Sequence, residues 1–329
     1  MPPPSAQHSR VRRGLLAGSA LTALTALLPA CAPAPPLKLS THPWPGHGFL
    51  WLAQQQGVLA AEDVRLVELG SASASLHALS AGVVDAATLT LDEVLRARAG
   101  GIPLSIVLVL DSSAGADMLI ARDTLPDLAA LAGKRIGFER SATGALMLAG
   151  ALKTAGLSPA DVQLLDINID AQEAAWQAGE IDAVISFPPV ATRLLANGGH
   201  ALFDSRSLPD TIFDVVAVRE EALLAKPEAV AALVDAHLRG LAAWRANDSG
   251  QQRAIARWLG LPDTQAARTL AGLKPCGLAD NRRLLAGSPP QLADVAAELV
   301  LRLAADNIDA RASGQTTLID ARFVSGHPS

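Results

Sequence analysis

The chain has 329 residues and a formal net charge of −5, and half of it is hydrophobic although only 3% is aromatic and tyrosine is absent. The mild acidity argues against a nucleic-acid-binding protein, which needs basic patches. Two cysteines exclude a disulfide framework, so stability has to come from a large core of alanine, leucine and valine.

The N-terminal segment has the composition of an export signal. Arg10, Arg12 and Arg13 form a basic cluster, and residues 14–30 carry no charge. A basic segment followed by a short apolar helix and small residues is typical of a secretory signal, so we expect residues 1–30 to be removed. Cys31 follows directly, as in a bacterial lipobox, and we expect it to be acylated and to anchor the protein to a bacterial membrane. An uncleaved membrane anchor is the alternative, and the paired arginines leave the twin-arginine export route open.

Residues 31–36 are rich in proline and predict a stiff linker between the lipid and the folded body. After the linker, short apolar runs alternate with segments of helical period, which indicates an α/β protein with parallel strands. The expected strands are 37–40, 64–69, 86–90, 104–110, 118–121, 135–138, 162–167, 183–186 and 215–218. The expected helices are 49–56, 75–80, 91–99, 144–155 and 172–178, and then, in a nearly all-helical tail, 227–246, 251–259, 262–270 and 290–306.

A weak internal repeat relates two parts of the α/β region. Residues 75–86 match residues 172–183, and in each copy a helix ends near a glycine and a strand begins after an aspartate. Such a turn between helix and strand is common, but its recurrence in matching contexts favours two duplicated lobes.

Several motifs occur in the order and spacing of a known family. They are Trp44-Pro45-Gly46-His47, Ser71-x-Ser73-x-Ser75, Ala81-Gly82-x-x-Asp85-Ala86, Leu128-x-x-Leu131-x-Gly133-Lys134, Gly156-Leu157-x-x-x-Asp161-Val162, Gly179-x-Ile181-Asp182-Ala183 and Phe187-Pro188-Pro189. Over residues 37–220 the chain therefore resembles the solute-binding proteins of bacterial ABC importers. It is similar to the branch that contains nitrate, taurine and alkanesulfonate binders and the THI5-like pyrimidine-precursor binders.

The resemblance implies an α/β, two-lobed type II periplasmic-binding-protein fold with a helical C-terminal tail packed on lobe one. Lobe one is expected to comprise residues 37–120 and 215–329, and lobe two residues 121–214. The implied function is capture of a small solute between the lobes and its delivery to an ABC permease and its ATPase. We expect a monomeric, lipid-anchored binding protein outside the cytoplasm, without a cofactor, rather than an enzyme. The alternatives are a ligand-sensing subunit for a membrane receptor and a THI5-like pyrimidine-synthesis enzyme.

Candidate ligand contacts lie in the loops after the expected strands, because α/β sheets bind ligands outside the carboxyl ends of parallel strands. Aromatic rings offer flat contact, glycine permits close backbone approach, and helix N-termini with hydroxyls hold anions or carbonyl oxygens. The candidates are Trp44, Gly46, His47, Ser71, Ser73, Thr88, Thr90, Asp117, Arg140, Ser141, Thr143, Asp170, Phe187 and Asp214. The helices that begin after residues 71–75 and 141–143 are expected to face each other across the closed cleft.

These candidates also have structural interpretations. Trp44 suits packing on a lobe surface, Ser73 suits N-capping, and Phe187 suits a rigid turn before a helix. The threonines fit ordinary strand propensity, and Arg140 fits a solvated turn.

Charge leaves the ligand class open. The acids near expected strand ends are Asp92, Asp111, Asp117, Glu139, Asp170 and Asp214. The cations that oppose them are Arg140 and, if protonated, His42 or His47. If two or more acids face the cleft, a nitrate or sulfonate is repelled, and a ligand with an amine or aminopyrimidine edge fits better. Metal binding is not expected, because no third histidine or cysteine is placed to join His42 and His47. Cys276 is expected to be a lone, buried thiol.

Overall fold

The structure is a computed structural model, and it describes residues 35–140, 143–246, 248–305 and 317–327. The expected signal segment, Cys31 and Ser141 lie outside these ranges, so what the sequence predicts for them stays a prediction. Where the chain is described, no helix combines the length and the apolar character that crossing a bilayer requires.

Strands and helices alternate as the sequence predicts. The strands are β1 (Leu37–Thr41), β2 (Val64–Glu68), β3 (Ala86–Thr90), β4 (Leu104–Ser113), β5 (Met118–Arg122), β6 (Arg135–Phe138), β7 (Gln163–Asp166), β8 (Ala183–Ser186), β9 (Gly199–Asp204), β10 (Phe213–Arg219) and β11 (Leu273–Pro275). The helices are α1 (Gly48–Gln55), α2 (Ala72–Ser80), α3 (Leu91–Ala99), α4 (Gly144–Ala155), α5 (Ile169–Gln177), α6 (Val190–Ala196), α7 (Glu220–Ala225), α8 (Pro227–Ala246), α9 (Asp248–Trp258), α10 (Ala266–Leu270), α11 (Leu278–Leu285), α12 (Gln291–Ala305) and α13 (Arg322–Ser325). Every strand expected from the sequence is present, with ends that differ by a few residues.

The sequence pattern misses the strands β9 and β11, which form sheet edges. β9 begins with a glycine and is largely half-exposed, and β11 has only three residues and ends in proline. Neither strand therefore shows the buried apolar run of an interior strand. The helices α7, α11 and α13 are missed as well. α7 and α13 have six and four residues, which are too few to show a helical period, and α11 has eight.

The strands form two separate sheets. The first has six strands in the order β11-β4-β10-β3-β1-β2, and the second has five in the order β7-β6-β8-β5-β9. The chain leaves the first sheet after β4 and returns to it with β10. β5 and β10 run antiparallel to their neighbours, so the sheets are mixed rather than wholly parallel as expected. The expected lobe boundaries at residues 120 and 214 fall inside these two strands.

The two copies of the internal repeat occupy equivalent places in the two sheets. α2 leads through Gly82 into β3, α5 leads through Gly179 into β8, and both glycines are left-handed, with φ of 67° and 72°. In each copy the following aspartate accepts a backbone N–H from the neighbouring strand, Asp85 from β1 at 2.8 Å and Asp182 from β6 at 2.9 Å. The repeat therefore encodes the same helix–turn–strand unit twice.

The C-terminal helices cover the first sheet, as the resemblance implies. α8 packs against α1, α12 against α3 and α11 against β4. The approach of α8 to α1 depends on Gly240, because a Cβ there would lie 2.0 Å from the carbonyl oxygen of Phe49. Cys276 is a free and buried thiol, and burial raises its pKa to about 12, so it is not a thiolate at neutral pH.

Candidate ligand-binding site

Loops from both sheets meet at one junction lined by aromatic rings. Trp44 follows β1 and Phe187 follows β8, and their rings lie 5.5 Å apart at an angle of 78°. The ring of His42 lies 6.2 Å from that of Phe187 and 4.8 Å from that of His47. Trp44 and Phe187 therefore form two nearly perpendicular flat walls, one from each sheet.

The two histidines of the junction are neutral. Nδ1 of His47 lies 2.9 Å from the carbonyl oxygen of His42, so it carries the proton and donates it, and Nε2 remains an acceptor. Burial lowers the pKa of His47 to about 4 and holds the pKa of His42 well below its ordinary value. The expectation that either histidine opposes the acids as a cation is wrong at neutral pH. Thr88 also belongs here, with its hydroxyl 3.4 Å from Nδ1 of His47.

Three acids at the junction lack a full set of partners. Asp111 in β4 lies opposite Asp214 in β10, and their carboxyl groups hydrogen-bond to each other, which requires a shared proton. Asp117 lies directly before β5. Oδ1 of Asp111, Oδ2 of Asp117 and Oδ2 of Asp214 are buried without a hydrogen-bond partner among the described residues. We refer to these three residues as the unpaired acids.

Burial dominates the electrostatics of the unpaired acids. It raises the pKa of Asp111 to about 7 and that of Asp117 to about 6. The pKa of Asp214 is raised well above its ordinary value by burial and by the charges of Asp111 and Asp117. Nε1 of Trp44 donates to Oδ2 of Asp111 at 3.3 Å and opposes the rise. A Cβ at Gly46 would lie 1.8 Å from the same oxygen, so the packing of Asp111 requires this glycine.

Glu139, which follows β6, is an acid of a second kind because donors surround it. Its Oε1 accepts the backbone N–H of Ser73 at 3.1 Å and the Ser73 hydroxyl, and its Oε2 accepts the N–H of Ile169 at 3.4 Å. Ser73 lies in the first turn of α2, and Ile169 begins α5. One carboxylate therefore joins the N-termini of the two repeat-related helices. Ser71 caps α2, with its hydroxyl accepting the N–H of Ala74 at 3.1 Å.

Asp92 is also supplied with donors. Its Oδ1 accepts from the hydroxyls of Thr90 at 2.7 Å and Thr143 at 2.9 Å, and its Oδ2 lies 3.5 Å from Nη2 of Arg96. The start of α4 therefore meets the start of α3. The expected meeting of α4 with α2 across the closed cleft stays a prediction, since the hydrogen bonds of these acids join α2 to α5 through Glu139 and α4 to α3 through Asp92. We refer to Asp92 and Glu139 as the paired acids.

Glu93 is a buried acid that the candidate residues omit. Its Oε2 accepts the N–H of Thr90 at 2.8 Å in a capping box at the start of α3, and burial raises its pKa well above the ordinary value. The Thr-x-x-Glu spacing is the sequence signal that finds this residue. Arg96, the counterion of Asp92, is also missing from the candidates, and its position four residues after Asp92 in the expected helix 91–99 is the sequence signal that finds it.

Two candidates lie outside the buried part of the junction. Arg140 has a side chain that is 60% exposed and pairs with Asp166 at 3.4 Å. Asp170 is exposed and lines a surface cavity of about 630 Å³ together with Ser73. The one arginine that the sequence proposed for the ligand therefore belongs to a solvent-facing ion pair.

The junction is suited to accepting hydrogen bonds. The three free oxygens of the unpaired acids and Nε2 of His47 are buried acceptors for which the described residues supply no donor. Among those residues no group of three or more histidine, cysteine, aspartate or glutamate side chains is arranged to hold a metal ion. The arrangement fits a small molecule that brings its own N–H or O–H donors.

Three known proteins are similar to this chain. The taurine-binding periplasmic protein of Escherichia coli strain K12 is 28% identical over 187 residues, which are 55% of this chain and 58% of that protein. The alkanesulfonate-binding protein SsuA from Xanthomonas axonopodis pv. citri, bound to MOPS, has a TM-score of 0.72 at 20% identity, covering 88% of this chain and 99% of the other. The desulfurization enzyme DszB has a TM-score of 0.61 at 20% identity, covering 88% and 98%.

These similarities differ in what they establish. The chain spans less than two thirds of its taurine-binding relative. The similarity to the two solved structures establishes the two-lobed periplasmic-binding-protein fold. It does not identify a ligand or a reaction for this chain. The match to a family as a whole is broader, since it runs from residue 30 to residue 260. Because that match covers more than half of the sequence, the chain belongs to the NMT1-like family.

Proposed function

We propose that this protein captures a small solute between its two sheets and delivers it to the permease and ATPase of an ABC importer. The observation that carries the proposal is the junction itself, where aromatic rings from both sheets meet and Trp44 contacts Asp111, one of the buried acids that have an oxygen without a donor. A bound solute would supply those donors. The similarity to a periplasmic taurine-binding protein supports the same role.

In this proposal the two sheets mark two lobes, with β5 and β10 at the crossings between them. The contacts of Glu139 with Ser73 and of Phe187 with Trp44 hold the lobes together in the conformation described above. A solute reaches the junction only when these contacts break. The lobes therefore open by a hinge motion at the crossings, and the bound solute selects the closed form.

A thermal-shift screen of the full chain tests solute capture. The panel contains nitrate, sulfonates, pyrimidines, riboflavin and polyamines. A solute that binds only the folded state stabilises it by about 2.7 kcal/mol at a hundred times its Kd, so its effect grows with concentration. Trp44→Ala should abolish the shift, whereas Trp258→Ala should retain it, because Trp258 stacks on Trp51 at 5.7 Å instead of on Phe187. A shift that survives Trp44→Ala would contradict binding at the junction.

Delivery is tested separately from capture. Solute-loaded protein should stimulate ATP hydrolysis by its reconstituted permease and ATPase. Activation of a membrane receptor without such stimulation would instead favour a ligand-sensing subunit.

We infer binding rather than catalysis, and Cys276 agrees with this role, since its buried and protonated thiol supplies no thiolate nucleophile at neutral pH. Solute recovered unchanged after prolonged incubation with the protein would agree with this role. Turnover that is lost in Trp44→Ala would contradict it.

Export and lipid attachment are part of the same proposal. Residues 1–30 would direct export, and Cys31 would carry the lipid that holds a monomeric protein at the outer side of a bacterial membrane. Cys31→Ala should then release the folded protein from the membrane. Unchanged retention of a processed Cys31→Ala chain would contradict the lipid anchor.

A further inference from the structure

The unpaired acids point to the chemistry of the solute. Resting on the proposed role in solute capture, we propose that the solute carries an organic cation, an ammonium, amidinium or guanidinium group, on a flat or apolar body. Asp111, Asp117 and Asp214 receive the N–H donors of this cation, and Trp44 and Phe187 enclose its body.

The hydrogen-bonding groups of the junction favour a cationic solute. Asp111, Asp117 and Asp214 are at most 5% exposed, and each has a buried oxygen without a donor among the described residues. His47 is 1% exposed, and its Nε2 also lacks a donor. Because the proton of this imidazole is on Nδ1, Nε2 is a fourth buried acceptor, on a side chain that is not an acid. Buried acceptors without donors are unfavourable, and a cation with several N–H groups satisfies them. A sulfonate brings further acceptors and satisfies none of them.

The charge of the junction also favours a cation. Six buried acids, the unpaired acids with Asp92, Glu93 and Glu139, lie close enough to affect one another electrostatically. The cation that reaches this group among the described residues is Arg96, and it pairs with Asp92. Asp111 and Asp214 share a proton and burial favours the protonated form of Glu93, so the negative charge that remains lies on the other acids of the group. In a buried site of low dielectric that charge attracts a cation and repels an anion.

The protein already fills its own anion site. The N-termini of α2 and α5 are the places at which an anionic ligand would be expected. Glu139 occupies them through its bonds to Ser73 and Ile169. An anionic solute would have to displace this carboxylate, whereas a cation does not compete with it.

The aromatic walls fit an organic cation better than a metal ion. A cation attached to a flat body stacks favourably on tryptophan and phenylalanine faces. In the described part of the chain no set of three or more ligating side chains is arranged for a metal ion. The negative charge of the junction is therefore suited to a cation held by directed N–H bonds.

The test compares three probes of similar size and different charge: benzamidine, which is cationic, benzamide, which is neutral, and benzenesulfonate, which is anionic. Calorimetry and thermal shift on the full chain should show benzamidine binding at least tenfold more tightly than benzamide, with no stabilisation by benzenesulfonate. Benzamidine affinity no greater than that of benzamide, including no binding of either, overturns the proposal.

Variants locate the binding. Asp214→Asn and Asp117→Asn should weaken benzamidine binding about tenfold or more, because each removes a charge-assisted hydrogen bond. The same variants should leave the Tm of the unliganded protein unchanged or higher, which a merely structural role would not produce. Glu62→Gln, which removes an exposed acid elsewhere, should bind benzamidine as the wild type does. Wild-type benzamidine affinity in both aspartate variants overturns the proposal.

The anionic probe separates this proposal from the role in solute capture. Benzenesulfonate binding that disappears in Trp44→Ala would overturn the cationic assignment and leave solute capture at the junction intact.

Discussion

The paired and the unpaired acids of the junction have the same chemistry and different surroundings. Glu139 and Asp92 accept hydrogen bonds from residues of both sheets. Asp111, Asp117 and Asp214 lie near one another, with one oxygen of each left without a donor. The paired acids therefore stabilise the contact between the two sheets, whereas the unpaired acids offer hydrogen-bond acceptors to a bound solute.

This difference shows why counting charges near strand ends does not identify ligand contacts. A buried carboxylate with donors stabilises the assembled junction, and one without donors raises its free energy until a partner arrives. Substitutions at the two groups should therefore have opposite effects on the unliganded protein.

The largest expected effect is the pH dependence of stability at Asp111. The pKa of Asp111 is about 7 in the folded protein, whereas the ordinary value is 3.8. Between these two pH values the folded protein keeps a proton on Asp111 that the unfolded protein has lost. Its contribution to the free energy of unfolding therefore falls as pH rises from 4 to 7, by on the order of 4 kcal/mol. Asp111→Asn removes this fall, so the variant should gain stability over the wild type as pH rises.

Urea unfolding of both proteins at pH 5, 6, 7 and 8 measures this difference. The buried histidines His42, His47 and His237 have lowered pKa values and act in the opposite direction below pH 6.5, but they cancel between wild type and variant. Glu62→Gln, which removes an exposed acid outside the junction, is the control. A constant gap between Asp111→Asn and wild type would contradict the prediction.

Removing a paired acid should open the junction. Hydrogen bonds to a charged acceptor contribute about 1.5–3 kcal/mol, so Glu139→Ala should shift the equilibrium away from the closed form tenfold or more. Small-angle X-ray scattering should show a larger radius of gyration for this variant. Glu139→Gln keeps an acceptor oxygen for Ser73 and should lie between Glu139→Ala and wild type. An unchanged radius in Glu139→Ala, matching the exposed control Glu180→Gln, would show that Glu139 does not hold the sheets together.

Gly46 tests how tightly the unpaired acids are packed. A Cβ there would lie 1.8 Å from Oδ2 of Asp111 and 2.8 Å from Nε1 of Trp44, so Gly46→Ala should lower the free energy of unfolding by about 1–3 kcal/mol. Adding Asp111→Ala should recover part of this loss, which a double-mutant cycle measures. Gly326→Ala is the control, since its nearest atom is 3.4 Å away. Full additivity of the two substitutions would contradict the contact.

The smallest effect is expected at Arg140. Its ion pair with Asp166 is exposed, and such pairs contribute about 0–1 kcal/mol. Arg140→Ala should change benzamidine affinity less than twofold, because this side chain is 60% exposed and pairs with Asp166 instead of with the unpaired acids. A tenfold change in calorimetry would place Arg140 within reach of the solute.

Local pattern determined most of the fold. Alternating apolar runs place the strands, and the repeated glycine and aspartate place the same turn in both sheets, although the cap of α2 is Ser71 and not, as expected, Ser73. These features depend on neighbours a few residues away along the chain. Edge strands such as β9 are not predicted by this pattern, because only part of their surface is buried and they lack a continuous apolar run.

The sequence by itself determined which residue types lie at the strand ends, including Trp44 and the acids, and the family motifs determined that two lobes are present. Only the tertiary structure decided which acids have donors. The contacts that decide it join Ser73 to Glu139 and Trp44 to Asp111, pairs that are 66 and 67 residues apart in the chain. A sequence pattern reports the periodicity of one element at a time, whereas the pKa of a buried carboxylate depends on donors that other elements bring to it.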